Sequence, residues 1–151
     1  MSILNTIIER AKTTAAKLVF AEGQDPRVIQ AAYKIVNDGI AQVTVLGAES
    51  EITQACRLAG VEACNFDVID PLSSPLITDF ARNFCEVRKA QGLTMDAAAD
   101  IMKNRLYFAN MMCHQGLVDG VVAGSIASTS DVLRASLQVI GTAKGIKTAS
   151  S

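Results

Sequence analysis

The sequence lacks tryptophan and has little of several other residues that mark particular functions. It has a single histidine, and Phe, Trp and Tyr together make up 5% of its 151 residues. The 14 basic and 15 acidic side chains nearly cancel, which leaves a formal net charge of -1. A general nucleic-acid binder has a basic excess and aromatic side chains on which bases stack. The composition therefore argues against nucleic acid as a partner.

Long apolar runs and closely spaced metal ligands are missing as well. No stretch approaches the roughly 18 consecutive apolar residues of a membrane-spanning helix, and we expect no membrane association. The only histidine, His114, has no second ligand at a suitable spacing, so no metal site is predicted. The thiols show no closely spaced pair and are expected to be reduced, as in a cytoplasmic protein. The cysteines are Cys56, Cys64, Cys85 and Cys113.

Short apolar strands alternate with amphipathic helices along the chain, half of whose residues are hydrophobic. A helix is predicted over residues 2–15, and a strand–helix–strand unit over residues 17–46. In that unit Asp25 and Pro26 suit the start of the helix and Gly39 suits its end. Further helices are predicted over 49–59, 76–89, from 94, over 104–114 and from 128 to about 140, and further strands over 65–69 and 117–123.

This alternation predicts a single α/β domain. A mainly parallel sheet is expected to be covered by helices on both faces, in a three-layer α/β/α arrangement. Residues 145–151 are expected to begin another element, as in the first part of a longer protein.

The best candidate site lies where the last predicted strand meets the last predicted helix. The strand leads to Gly124 and then to Ser128 and Thr129 at the helix start, where free N–H groups and a partial positive charge favour an anion. Arg134, one turn later, is placed to contact a phosphate. An equally good interpretation is that Ser128 only caps the helix and that Asp131 completes a capping box. Asp131 would repel a phosphate, so Arg134 must offset its charge if the site is real.

Two other arginines are weaker candidates. Arg27 lies beside the start of a helix after the first strand, but its loop has too few glycines for a dinucleotide site or a P-loop. From the pattern alone, a solvated Arg27 beside a capped helix is the simpler interpretation. Arg88, at the end of a predicted helix, would likewise be a surface charge that complements the helix dipole.

Several segments resemble, in the same order, successive segments of the phosphate acetyl/butyryltransferases. The first combines Glu22, Gly23, Asp25 and Arg27, an opening similar to that of the family. The others are residues 37–47, 88–94, 119–124 and 128–140. Because these segments are collinear over about residues 17–150, the resemblance covers nearly the whole chain.

The resemblance implies a fold like that of the isocitrate and isopropylmalate dehydrogenases and the reaction of acetyl-CoA with phosphate to give CoA and acetyl phosphate. It implies that the CoA thiolate attacks acetyl phosphate in a cleft between two domains, while Arg and Ser groups hold the phosphate. The partners would be the small molecules acetyl-CoA, phosphate and acetyl phosphate. No cofactor would be bound, coenzyme A being a substrate, and the complete protein would be a homodimer.

Position by position, the resemblance assigns five residues of this chain to the substrates. Ser128, Thr129 and Arg134 match the phosphate side of the family's site. Arg88 matches an arginine implicated in substrate binding, and Arg27 matches an early arginine whose role is less defined.

Two departures from the family limit what the chain is expected to do. Many relatives have histidine in place of Ala127, so a contact made by that histidine would be missing. The family's thiol-activating Asp, with its accompanying Ser and Arg, lies in a C-terminal segment that has no counterpart in residues 1–151. The chain is therefore expected to be the N-terminal domain of a two-domain acyltransferase, with no catalytic residue of its own and no activity alone.

Two other functions remain open from the sequence. The fold would also suit a module that binds phosphate or an acyl phosphate and regulates a partner. A fragment of an oxidoreductase is the other alternative, because the family resembles the isocitrate dehydrogenase group in fold. The lack of a GxGxxG motif and of a metal-ligand cluster argues against dehydrogenase chemistry in these residues.

Overall fold

The computed structural model describes residues 2–143 and residue 145. The helices of this part are α1 (Ile3–Thr14), α2 (Pro26–Asn37), α3 (Glu49–Ala59), α4 (Leu76–Val87), α5 (Met95–Ile101), α6 (Arg105–His114) and α7 (Thr129–Val139). Its strands are β1 (Lys17–Phe20), β2 (Gln42–Leu46), β3 (Asp67–Ile69) and β4 (Gly120–Val122). A short 3₁₀ helix, Lys89–Gln91, lies between α4 and α5.

The strands form one parallel sheet in the order β3-β2-β1-β4. Phe20 of β1 lies beside Val45 of β2 on one side and Val122 of β4 on the other. The chain builds β2 and β3 on one side of β1 and then returns to place β4 on the opposite side. In open parallel sheets, the crevice outside the carboxyl ends of the strands at such a reversal is the usual ligand site.

Helices cover both faces of the sheet. Val19 belongs to a buried cluster with Phe84 of α4 and Phe108 of α6. Its neighbour Phe20 belongs to a second cluster with Ile29 of α2 and Ile52 of α3. Because successive strand residues point to opposite faces, these clusters lie on the two sides of the sheet. The predicted three-layer α/β arrangement is confirmed.

Predicted helices with a clear capping residue have nearly the predicted bounds. Asp25 accepts a hydrogen bond from the Arg27 amide at the start of α2, and Ser128 accepts one from the Asp131 amide at the start of α7. The two outer strands are shorter than predicted. They pair with their neighbours only over Asp67–Ile69 and Gly120–Val122.

The first helix forms as predicted, but its apolar side chains do not reach the core. Ile3 is 81% exposed and Leu4 is 65% exposed, and no residue of α1 is buried. Helical periodicity thus identified the helix without saying what it covers. Apart from Gly145, the element predicted to begin over 145–151 falls outside the described residues. No described helix is both long enough and apolar enough to cross a membrane.

Candidate functional site at the carboxyl ends of β1 and β4

The loops that follow β1 and β4 meet at the reversal point of the sheet, and the carboxylate of Glu22 joins them. Its Oε1 accepts hydrogen bonds from the amides of Gly124 and Ser125 at 2.5 and 3.0 Å. Its Oε2 accepts from the amides of Ile126 and Ala127 at 2.6 and 2.8 Å. One side chain therefore satisfies four successive backbone N–H groups of the β4–α7 loop.

Glu22 is held as a carboxylate although it is only 4% exposed. Burial raises the pKa of a carboxyl group, but hydrogen bonds from the four amides favour the ionised form. These bonds outweigh burial, so the pKa of Glu22 lies below its ordinary value. Glu22 lies in a segment that resembles the family, but no role is predicted for it from the sequence. The available signal was an acidic residue directly after a buried apolar strand, where an unpaired charge would be strongly unfavourable.

Arg27 makes a second connection between the same loops. Its Nη2 donates to Oδ2 of Asp25 at 2.7 Å and to the carbonyl oxygen of Ser125 at 2.9 Å. Hydrogen bonds from Arg27 lower the pKa of Asp25 to about 2, against the opposing effect of burial. The Asp25 side chain is 5% exposed and that of Arg27 is 73% exposed. Arg27 is therefore exposed but hydrogen-bonded to Asp25 and Ser125. The sequence pattern alone favoured a charge that contacts only solvent.

Two glycines shape the loops after β1 and β4, one through a close contact with β2 and the other through its backbone conformation. A Cβ on Gly23 would lie 2.5 Å from the carbonyl oxygen of Leu46 and 2.6 Å from Cγ1 of Val45, and would also clash with the end of Ile52. Gly124 has a φ of 108°, which side-chain-bearing residues rarely adopt. Gly23 is therefore required because a Cβ has no space there, and Gly124 because of its backbone conformation.

The start of α7 presents the residues of the predicted phosphate site. Ser128 is the N-cap, and its Oγ accepts from the amide of Asp131 at 3.1 Å. The carboxylate of Asp131 pairs with Nη1 of Arg134 at 3.3 Å. The capping role proposed for Ser128 is thus present. Arg134 offsets the charge of Asp131, as a phosphate site here would need, by forming an ion pair with it.

Arg88 occupies a different kind of position. It is the C-cap residue of α4 and is half-buried. Within residues 2–143 and 145, no side chain or backbone group forms a hydrogen bond or ion pair with its guanidinium. A half-buried guanidinium has lost part of its hydration, so Arg88 retains unused capacity to bind an anion.

A second set of polar contacts lies on the β2 side of β1. Nη2 of Arg105 donates to both carboxylate oxygens of Glu51, at 2.5 and 2.6 Å. Its Nη1 donates to Oε1 of Gln24 at 2.6 Å. The two ionic side chains are 25% and 36% exposed. Arg105 therefore ties the start of α6 to α3 and to the β1–α2 loop.

An open cavity of about 300 Å³ lies between these two sets of contacts. Glu22 and Gln24 line one part of it, and Lys103 and Arg105 another. The lining does not include any of the five residues that the family resemblance assigned to substrates. Elsewhere, an open cavity of about 580 Å³ beside α3 contains Cys56 and Cys64, whose sulfur atoms are 3.3 Å apart as free thiols.

Comparison with known proteins places this geometry in a family. A family model described as phosphate acetyl/butaryl transferase matches residues 2–151. The chain belongs to this family. The phosphate acetyltransferases of Thermoanaerobacterium thermosaccharolyticum and Acetivibrio thermocellus are 40% and 42% identical to it over 151 residues. These matches cover 100% of this chain and 45% of each relative. The chain thus spans about half the length of the curated relatives it matches, and it corresponds to their N-terminal part.

Solved structures support the same assignment. A phosphotransacetylase from Streptococcus pyogenes has a TM-score of 0.90 and 32% identity, over 98% of this chain and 46% of that one. The EutD phosphotransacetylase from Staphylococcus aureus has a TM-score of 0.87 and 28% identity, over 98% of this chain and 46% of that chain. The family resemblance read from the sequence is confirmed.

In this member of the phosphate acetyl/butaryl transferase family, the five assigned residues fall into three groups. Ser128, Thr129 and Arg134 share the first turns of α7. Arg27 reaches the loop that precedes this helix through the carbonyl of Ser125. Arg88, at the end of α4, has no hydrogen bond or ion pair with any of the other four. Their common role in substrate binding stays a prediction.

The described residues contain no group of three or more His, Cys, Asp or Glu side chains that would suit a metal ion. The acidic residues nearest the site are used in other ways. Glu22 accepts backbone amides, and Asp25 and Asp131 are paired with arginines.

Proposed function

We propose that the complete protein is a phosphate acetyltransferase, which exchanges an acetyl group between coenzyme A and inorganic phosphate. The observation that carries this proposal is the match of residues 2–151 to the family, together with relatives of that name at 40% and 42% identity. The reaction needs acetyl-CoA, phosphate and acetyl phosphate as small-molecule partners. We further propose that the complete protein works in the cytoplasm as a homodimer.

In this proposal the chain supplies one wall of the substrate cleft. The exposed start of α7 offers the hydroxyl groups of Ser128 and Thr129, the positive end of the helix dipole and the guanidinium of Arg134. Arg88 adds a half-buried guanidinium that has no counter-ion among the residues the structure describes. Arg27 contributes indirectly, because its hydrogen bonds go to Asp25 and Ser125.

The chemistry we propose is direct transfer. A base deprotonates the CoA thiol, the thiolate attacks the acetyl carbon of acetyl phosphate, and phosphate leaves with the bonding electron pair. The chain's hydroxyl and guanidinium groups would hold the phosphate and stabilise its developing charge. The base would come from the part of the protein beyond these residues, so that the chain is one domain of a two-domain enzyme.

The direct test compares acetyl-CoA formation from acetyl phosphate and CoA by the complete protein and by the 151-residue chain. We expect turnover by the complete protein and none by the chain. Turnover by the chain alone would contradict the assignment of the base to another segment. Phosphate binding without turnover in the complete protein would favour a regulatory binding module instead.

Arg134→Ala tests the phosphate contact within the complete protein. We expect the variant to bind phosphate more weakly by about 1.5–3 kcal/mol, the contribution of a hydrogen bond to a charged group. Arg82→Ala is the matched control, because Arg82 is also exposed and paired with an aspartate three residues away, at 2.9 Å. Calorimetric titration with phosphate should distinguish the two. Equal affinities for both variants would leave Arg134 as a surface charge.

Asp131→Asn tests the same site and should have the opposite effect on phosphate binding. Asp131 now shares the guanidinium of Arg134 at 3.3 Å. Removing its negative charge should strengthen phosphate binding in the same titration, because the arginine is freed and the repulsion disappears. Weaker binding by this variant would contradict the proposed location of the phosphate.

A further inference from the structure

The reversal point between β1 and β4 is already occupied by a group of this chain. In many parallel α/β proteins, backbone amides at such a point bind the anionic part of a ligand. Here the amides of residues 124–127 all point to the carboxylate of Glu22. The site has the chemistry of an anion-binding loop, and the anion is a side chain.

We propose that Glu22 is a positioning residue, a built-in anion that permanently fills the β4–α7 loop and thereby places Ser128, Thr129 and Arg134 for the phosphate of the substrate. The identity of that substrate rests on the proposed function. The filling of the loop by Glu22 rests on the geometry alone.

A dissolved phosphate would compete poorly with Glu22 for these four amides. The carboxylate is tethered directly to the end of β1, so its local concentration at the loop is high. Both of its oxygen atoms are used, each by two amides. A phosphate that approached the same amides would also meet the negative charge of Glu22 at close range.

Arg27 completes the anchoring from the other side of the loop. Glu22 engages the N–H groups, whereas Nη2 of Arg27 donates to the carbonyl oxygen of Ser125 at 2.9 Å. Arg27 is itself fixed by Asp25, the N-cap of α2. The loop after β1 therefore binds the β4–α7 loop in two ways. Glu22 accepts from its amides, and Arg27 donates to one of its carbonyl oxygens.

The groups left for a ligand lie immediately after the filled loop. The amides of Thr129 and Ser130 are the first two of α7 and have no acceptor within the helix. The Oγ of Ser128 accepts from the amide of Asp131, which leaves its own hydrogen to donate. Glu22 thus determines where the anion-binding surface begins: after Ala127.

Chemical rescue tests this proposal on the 151-residue chain. Glu22→Ala empties the loop of its carboxylate, and sodium formate is the probe that supplies one. We expect the variant to melt at a lower temperature, with formate restoring part of the loss. The amide resonances of residues 124–127 should move with the formate concentration. In the wild-type chain and in Glu62→Gln, a change at an exposed carboxyl, formate should change neither the melting temperature nor these amide resonances.

Two results would overturn the proposal. One is a folded Glu22→Ala chain whose loop amides do not respond to formate any more than to chloride at equal ionic strength. The other is a wild-type chain whose loop amides respond as strongly as those of the variant. If the variant does not fold, hydrogen exchange in the wild-type chain decides. Protection of the amides of residues 124–127 supports the proposal, and exchange as fast as in an open loop contradicts it.

Inorganic phosphate separates this proposal from the proposed function. In the wild-type chain we expect phosphate to move the amides of residues 128–134, and in Glu22→Ala without formate to move those of residues 124–127 as well. A purely structural role for Glu22 would not produce this second response. If phosphate moves no amide of the wild-type chain, phosphate binding by the chain is contradicted, while formate rescue still decides the role of Glu22.

Discussion

Two polar bridges join neighbouring loops at the carboxyl edge of the sheet, and they are built differently. On the β4 side, the buried carboxylate of Glu22 accepts four backbone amides. On the β2 side, Glu51 and Arg105 pair through their side chains and remain 36% and 25% exposed. The first bridge fixes a loop backbone, whereas the second links side chains that water also reaches.

The difference shows that the loop on the β4 side of β1 is held more rigidly than the contacts on the β2 side. A buried carboxylate that lost its amide partners would be very unfavourable, so the β4–α7 loop has essentially one arrangement. The Glu51–Arg105 pair is only partly buried, so both charged groups can still reach water if the pair breaks, and we expect it to contribute less. We therefore expect a change to the carboxylate of Glu22 to have a larger effect than the matched change to that of Glu51.

Glu22→Gln compared with Glu51→Gln should give the largest contrast. The glutamine at position 22 offers one acceptor and turns an N–H₂ group toward backbone donors, so we expect a loss of about 3 kcal/mol in the free energy of unfolding. At position 51 we expect a loss of about 1 kcal/mol or less. Urea unfolding followed by far-UV circular dichroism suits a chain without tryptophan. Equal losses at the two positions would remove the proposed difference between the bridges.

Gly23→Ala compared with Gly47→Ala separates a close backbone contact from a side-chain contact, both on the β2 side of β1. A Cβ at position 23 meets the Leu46 carbonyl oxygen at 2.5 Å, and one at position 47 meets only side chains, the nearest being Cδ1 of Ile52 at 3.0 Å. We expect losses of about 2–3 kcal/mol and under about 1 kcal/mol respectively, because backbone yields less readily than a side-chain end. The same urea experiment measures both. A tolerated alanine at position 23 would mean that the loop has room to shift.

Acid should lower the free energy of unfolding by protonating two carboxylates on the β4 side, those of Glu22 and Asp25. The pKa of Glu22 is lowered by its amide partners in spite of burial, and that of Asp25 is lowered to about 2 mainly by Arg27. A lowered folded-state pKa stabilises the fold above the unfolded-state pKa and ceases to do so as the pH falls through the folded value. The stability difference between wild type and Glu22→Gln should therefore be full at neutral pH and shrink below about pH 4.5, the ordinary value for Glu. A difference that grows on acidification would contradict this sign.

Arg27→Lys compared with Arg105→Lys should give the smallest effects. Lysine cannot reproduce the paired donors of a guanidinium. Because the Arg27 side chain is 73% exposed and that of Arg105 is 25% exposed, the order of the two sides should reverse for this pair. We expect a smaller loss in urea unfolding at position 27 than at position 105, where the loss should be about 1 kcal/mol. A loss at position 27 well above that at position 105 would show that the Ser125 contact matters more than exposure indicates.

Local patterns in the sequence were enough to predict the layers of the fold and most helix starts. Asp25, Ser128 and Thr94 each cap a helix through a contact within three residues, which a sequence window contains. The lengths of the outer strands depend on pairing partners elsewhere in the chain, and they were overestimated. The exposed face of α1 likewise could not be read from its periodicity.

The candidate site was predicted only in part, for the same physical reason. The family resemblance and the helix start led to Ser128 and Arg134. The role of Glu22 depends on partners at least 102 residues away in the sequence, so no local window contains it. An acidic residue at the end of a buried strand indicated that some partner must exist, but only the folded chain shows that it is the β4–α7 loop.

The pH titration of the Glu22 side-chain carboxyl carbon by NMR shows directly whether a carboxylate occupies the β4–α7 loop. If the carboxylate permanently fills the loop, Glu22 should titrate below the ordinary glutamate value of 4.5, and the amides of residues 124–127 should shift with the same midpoint. A Glu22 midpoint at or above 4.5, with loop amides that do not follow it, would show that the carboxylate does not fill the loop.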